Sequence, residues 1–259
     1  MRPAPRPTAL ITGAASGIGA AFARALAPDH RLVLVDRDTE GLQAIAATLD
    51  TETETVTADL TAEADIARIE ERCRAGLDLL VNNAGFGHPT EFLDTPIEAE
   101  IAMSRLHVEA VLRLTVAALP AMMGRGNGGI VNTGSVLGFF PSSTYSASKA
   151  WVINFSQSAA VKARPHGVHV MVLCPGFTRT GFHDTARMNM TAVPAFLWLQ
   201  ADTLVAAALR DLRKGKAVSI PGWHNKTIAA LSRLLPMRLI LRIHSGGGKR
   251  PMAVRETRG

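Results

Sequence analysis

The stretch Ala9-Leu10-Ile11-Thr12-Gly13-Ala14-Ala15-Ser16-Gly17-Ile18-Gly19-Ala20-Ala21-Phe22 decides the reading of this 259-residue chain. A short apolar run, a turn holding three glycines and an alanine-rich segment to Ala27 describe a strand that feeds a helix through a turn of little bulk. Glycine at 13, 17 and 19 lets a ligand approach the backbone closely. The helix that follows presents free N–H groups and the positive end of its dipole. The pyrophosphate of a dinucleotide suits such a turn. A ligand-free glycine turn would read the same by itself, so its surroundings have to decide.

Outward from that turn, short apolar runs alternate with helix-length amphipathic segments. Strands are expected at Ala9–Thr12, Leu32–Val35, Thr55–Thr57, Leu77–Val81, Gly129–Thr133, Val168–Leu173 and Ala217–Ile220. Helices are expected near Gly17–Ala27, Glu40–Leu49, Glu63–Arg74, Pro96–Met123, Tyr145–Ala163 and Asp202–Arg213, with Pro28 and Pro120 marking two ends. This order is that of an α/β protein: one domain, a doubly wound parallel sheet, helices on both faces. Asp36 ends the second strand, where a carboxylate can hold both ribose hydroxyls and repel a 2′-phosphate, which favours NAD over NADP. Arg37 beside it could pair with that phosphate instead, or simply be solvated.

The single tyrosine, Tyr145, stands four residues before Lys149 in Tyr145-Ser146-Ala147-Ser148-Lys149. On a helix the two share a face, and a cation beside a phenol is expected to lower its pKa and fit it for proton transfer. Thr12 to Gly19, Asn82-Asn83-Ala84-Gly85, Ser135 and the Tyr145/Lys149 pair together resemble the short-chain dehydrogenase/reductase family, from about Thr8 to about Gly222. The resemblance implies a NAD(P)-dependent oxidoreductase on a single Rossmann-type domain. It implies that Tyr145 is the acid/base, that Ser135 orients the substrate oxygen and that Lys149 holds the nicotinamide ribose. It also places Gly13, Ser16, Gly17, Ile18 and Gly19 at the pyrophosphate, Asp59 at the adenine, and Asn83, Ala84 and Gly85 beneath the adenine ribose. Pro175, Gly176 and Thr180 would face the carboxamide of nicotinamide. Several have a plainer alternative: Asp59 as a helix cap, Asn82 and Asn83 as ties between strand ends, Gly85 as a backbone shape and Ser135 as a turn hydroxyl.

Two positions depart from the family pattern. His107, in His107-Val108-Glu109-Ala110, stands where the family usually carries an asparagine that holds a water beside the lysine. An imidazole can take over that relay, or be a packed helix residue. The ten-residue spacing from Ser135 to Tyr145 is shorter than is usual in the family, and it puts the place of Ser135 in question.

Two cysteines, Cys73 and Cys174, lie far apart, which argues against a disulfide framework and for a reducing compartment. No signal-like apolar run opens the chain, and no apolar stretch is expected to reach the ~18 residues of a membrane span, so a cytoplasmic location is expected. The +6 net charge is concentrated: residues 210–259 hold 12 Lys/Arg and 2 Asp/Glu, while residues 1–209 sum to −4. A nucleic-acid partner is not expected from that distribution. Residues 1–7 read as a flexible start, 223–244 as an amphipathic basic extension and 245–259 as a disordered basic tail. The pattern of the extension fits a membrane surface, a cover for the substrate pocket or a subunit contact. Gly181–Gln200, with Phe182, Met188, Met190, Phe196, Leu197 and Trp198, reads either as an apolar lid or as ordinary packed structure. The expected protein transfers hydride between the cofactor and a small, apolar or lipid-like alcohol or ketone, as a homodimer or homotetramer. A non-catalytic dinucleotide sensor, or an epimerase or dehydratase on the same fold, are the alternatives.

Overall fold

β1 (Thr8–Thr12) has alternating residues that enter opposite sides of the sheet, as a strand's two-residue period requires. Ala9 and Ile11 join one core and Leu10 the other. Around it, the computed structural model describes residues 6–180, 194–236 and 238. The chain runs on through α1 (Gly17–Leu26), β2 (Arg31–Asp36), α2 (Thr39–Ala46), β3 (Thr53–Thr57), α3 (Glu63–Arg74) and β4 (Leu79–Asn82). It continues with α4 (Ile97–Ser104), a π turn (Arg105–Glu109), α5 (Ala110–Arg125), β5 (Gly128–Thr133), α6 (Thr144–Ala163) and β6 (Val168–Leu173). The short strands β7 (Thr178–Arg179) and β8 (Leu199–Gln200), then α7 (Ala201–Arg213), β9 (Val218–Ser219) and α8 (Trp223–Leu234), complete it.

Seven parallel strands lie in the order β3-β2-β1-β4-β5-β6-β9. The direction of winding reverses between β1 and β4, which opens a crevice beyond their carboxyl ends, the place where such sheets bind ligands. One core packs Phe22, Leu26, Leu42, Leu204, Val205 and Ala208 against the sheet. The other packs Ile66, Ile69, Cys73, Leu114, Met122 and Ala159 on the opposite face. The doubly wound parallel-sheet reading of the sequence is thus borne out, all seven expected strands are present, and β7 and β8 pair with each other as a separate two-stranded sheet.

The helix expected over Pro96–Met123 is continuous but changes pitch in the π turn, and Pro120 lies inside α5 rather than at its end. Pro120 is exposed, so its missing hydrogen bond and the bend it imposes fall on the solvent side. Taken together, Ile97–Arg125 is long and apolar enough by composition to cross a membrane, contrary to the expectation that no apolar stretch reaches that length. Here it lies against the sheet, with Met103, His107, Leu114 and Met122 buried.

Candidate active site

The glycine turn is built by exclusion. A Cβ on Gly13 would lie 2.8 Å from Ala84 Cα, and one on Gly19 would lie 1.9 Å from the Gly13 carbonyl. Gly17 takes a φ of +56°, and a Cβ there would sit 3.2 Å from the Thr180 side chain. So β1, β4 and the segment after β6 close on one crevice, and side chains are kept out of it. Ser16 precedes α1 without capping it and is exposed, leaving its hydroxyl and the first helical N–H groups available; Ile18 is half-buried.

Asp36 reaches across from β2 to accept from Ala15 N at 3.0 Å and from Asp38 N at 3.2 Å. The carboxylate thereby braces the glycine turn, and two of its roughly four acceptor positions remain for a ribose diol. Arg37 is exposed. Asp59 accepts from both Thr61 N (2.9 Å) and Thr61 Oγ1 (2.8 Å), so it secures the turn leading into α3. Asn83 donates to the carbonyls of Thr12 and Gly13, each at 3.2 Å, which ties β4 to β1. Thr12, which sequence reasoning did not single out, accepts from Asn83 N at 2.9 Å and Ala84 N at 3.1 Å through its hydroxyl. It shapes the turn that carries Ala84 and Gly85.

α6 begins at a reciprocal cap: Ser143 Oγ accepts from Ser146 N at 3.1 Å, and Ser146 Oγ accepts from Ser143 N at 2.9 Å. That cap sets Tyr145 and Lys149 one turn apart at the crevice. The short Ser135–Tyr145 connection is taken up by a 3₁₀ turn, Val136–Phe139, held by Leu137 N donating to Ser135 Oγ at 3.1 Å. Ser135 still hydrogen-bonds the Tyr145 phenol, so the shorter loop has not separated them.

The electrostatics differ from expectation. Tyr145 is pushed up to about 12 by burial, opposed by the Ser135 hydrogen bond. Lys149 Nζ lies 5.7 Å from the centroid of the tyrosine ring and donates to the Thr133 carbonyl at 3.0 Å. In the protein alone, burial of the phenol therefore outweighs its cation. Burial also brings Lys149 down from 10.5 to about 8, with the Cys174 thiol opposing. The ammonium keeps two further N–H donors.

His107 is fully buried in the π turn, its ring 5.4 Å from the Tyr145 ring and edge-on to it. Ser148, overlooked in the Tyr-to-Lys stretch, donates its one hydroxyl proton to the Tyr145 carbonyl at 2.8 Å. The 2.9 Å contact between His107 Nδ1 and Ser148 Oγ must then be donated by the imidazole. Nε2 is left as a bare lone pair with no hydrogen-bond partner. A Cβ on Gly85 would sit 2.9 Å from that nitrogen and 3.5 Å from Lys149 Nζ, so both line one small space. Burial first, then Lys149 and His88, hold His107 well below 6.5, and it is neutral.

Beyond β6, the Pro175 carbonyl accepts from Val136 N at 2.9 Å, and the Gly176 carbonyl accepts from Thr178 Oγ1 at 3.0 Å. Asn225, from the first turn of α8, packs on Gly176 so closely that a Cβ there would fall 2.1 Å from its Oδ1. Sequence reasoning placed Asn225 in an extension read as a membrane-surface element, a pocket cover or a subunit contact; it is buried against the site, and no periodicity singled it out. Among the expected lid residues, Trp198 packs on Phe177 at 5.7 Å, whereas Phe182, Met188 and Met190 lie outside the described residues. Ser135, Tyr145, Lys149 and His107 come together beside the crevice walled by Gly13, Gly17 and Gly19, whereas Arg37 is exposed and Asp59 secures the turn into α3.

The short chain dehydrogenase family model matches residues 7–191. A very-long-chain 3-oxoacyl-CoA reductase from Phaeosphaeria nodorum is 33% identical over 93% of this chain and 76% of its own. A short-chain dehydrogenase from Sphingobium yanoikuyae, solved in complex with NADPH, is 36% identical with a TM-score of 0.81, covering 94% of this chain and 98% of that one. A bulky-bulky ketone specific alcohol dehydrogenase from Comamonas testosteroni is 31% identical with a TM-score of 0.77, covering 94% and 95%. With that match over most of its length, and with the glycine crevice facing the half-buried Tyr145 and the buried Lys149, the chain belongs to the short-chain dehydrogenase/reductase family of oxidoreductases.

Proposed function

We propose that this protein is an NAD-preferring oxidoreductase of secondary alcohols and ketones that are bulky and apolar or lipid-like. The observation that carries the reading is the convergence of the Ser135–Tyr145 hydrogen bond and the Lys149 ammonium at the glycine-walled crevice. The residues fit a dinucleotide: Gly13, Gly17 and Gly19 leave backbone-deep space, and Asp36 keeps acceptor capacity at the end of β2. When bound, the nicotinamide supplies or accepts the hydride.

The chain's own residues handle the proton and the geometry. Tyr145, a neutral phenol in the protein alone, is in the form that donates to a ketone oxygen. Ser135 orients that oxygen from the other side. Lys149 has donors to spare for a ribose. His107, fixed as the Nδ1–H tautomer, offers Nε2 to a water that Lys149 can also reach, which is how an imidazole serves in place of the family's asparagine. The Phaeosphaeria reductase is named for a long acyl substrate and the Comamonas enzyme for bulky ketones, which supports an apolar, bulky substrate class here.

Turnover of a panel of secondary alcohols and ketones with NAD(H) and NADP(H) tests the reading. Activity strongest with NAD on the bulkier apolar members is expected. Dinucleotide binding by calorimetry without turnover of any panel member would reassign the protein as a sensor.

A further inference from the structure

α8 has two unlike faces. At about 100° per residue, Asn225, Ala229 and Ser232 fall on one side, the side packed towards Gly176 and the Val136–Phe139 turn. Trp223, Leu231 and Leu234 fall on the other and are 74%, 48% and 79% exposed, while Ile228, 37% exposed, lies at the border between the two faces. Three large apolar side chains on the outer face of a three-turn helix, with Ile228 at its border, form a surface that monomeric soluble proteins rarely leave bare. Lys226 is exposed beside it. The helix lies within the segment 210–259, which carries 12 Lys/Arg against 2 Asp/Glu.

We infer that α8 is a docking element for an anionic lipid surface. The charge decides between occupants. A second copy would bring the same basic segment against itself, whereas acidic headgroups complement it. Tryptophan at one end of an apolar stripe with lysine at its edge is also the arrangement of helices that lie in a bilayer interface. The inner face of α8 contacts Gly176 and the turn after Ser135, both at the active site. Docking through the outer face therefore brings the lipid surface within one helix thickness of Gly176 and the turn after Ser135. The docking inference does not depend on the redox reading, because its test measures partitioning and not turnover.

Full-length protein is sedimented with vesicles of phosphatidylcholine alone and of phosphatidylcholine with phosphatidylserine, at low and at physiological salt. Pelleting with the anionic vesicles is expected to exceed that with neutral ones by on the order of tenfold and to weaken as salt rises. The double variant Leu231→Ser/Leu234→Ser, which changes only exposed positions, should keep its thermal midpoint and lose about tenfold or more in partitioning. Tryptophan emission should shift to the blue on vesicle addition, and Trp223→Phe should remove that shift. Wild-type protein that ignores anionic vesicles overturns the inference. So does a double variant that pellets like wild type, because the basic tail would then act without the helix. A double variant that sediments as a smaller oligomer than wild type, with vesicles ignored by both, assigns the stripe to a second copy and equally overturns it.

Discussion

Tyr145 and Lys149 titrate in opposite senses, and that gives stability a definite pH profile. Lys149 has a folded pKa of about 8 against 10.5, so between those values the unfolded chain binds more protons and stability rises with pH. Tyr145 has a folded pKa of about 12 against 10.0, so above about 10 the folded chain binds more protons and stability falls. Stability of the cofactor-free protein in urea unfolding is therefore expected to rise from about pH 8, to peak a little above about pH 10 and to fall beyond it, and Lys149→Met should abolish the rise on the acid side. Tyr145→Phe should lower kcat by about 10²–10⁴-fold while dinucleotide affinity is kept, as the proton-transfer role proposed for the phenol requires. A phenylalanine variant with near wild-type turnover would remove Tyr145 from its assigned role. His107 is neutral well below pH 6.5, so no histidine inflection near neutrality is expected in the pH–rate profile. His107→Asn should stay active, because an amide oxygen can accept where Nε2 does. His107→Leu should slow turnover without changing cofactor affinity, and equal kinetics for the leucine variant would leave the imidazole a packing residue only.

At the scale of elements, the strand–turn–helix from β1 to α1 makes the cofactor crevice, and its tolerances are narrow. Gly17→Ala forces a Cβ into a left-handed position that costs about 1–2 kcal/mol and pushes it towards Thr180. Dinucleotide affinity measured by calorimetry should fall, with a modest loss in thermal midpoint; unchanged affinity would show that the turn does not face the ligand. Asp36→Ala removes both the brace on Ala15 and the repulsion of a 2′-phosphate, so preference should move towards NADP, with overall affinity reduced. Tighter binding of NADP by the wild-type protein would mean that Arg37, not Asp36, governs the choice. The π turn is the corresponding device on the long helix: its wider coil interrupts Ile97–Arg125 at the level of Tyr145 and sets His107 inward.

Over the whole molecule, two apolar cores on opposite faces of one sheet hold the crevice open by fixing the ends of β1 and β4. Phe22 is fully buried in the core that also contains Leu204 and Val205, so it joins the first and last thirds of the chain. Phe22→Ala should destabilise by about 3–5 kcal/mol in denaturant unfolding. A loss under about 1 kcal/mol would mean that the core collapses around the gap.

The sequence by itself determined the sheet, its strands and the crevice, because these follow from local patterns: period-two apolar runs, a glycine turn before a helix, and a tyrosine and lysine four residues apart. It determined less of what depends on residues brought from far along the chain. The pKa of Tyr145 followed burial, which no spacing reveals, and so rose where a neighbouring lysine predicted a fall. The tautomer of His107 was decided by Ser148, 41 residues away, and the support of Gly176 by Asn225, from the C-terminal extension. The shortened Ser135–Tyr145 stretch looked disruptive, yet a 3₁₀ turn absorbed it and kept the two hydroxyls bonded. Local propensity is written in neighbouring residues; desolvation and hydrogen-bond pairing exist only once distant segments meet.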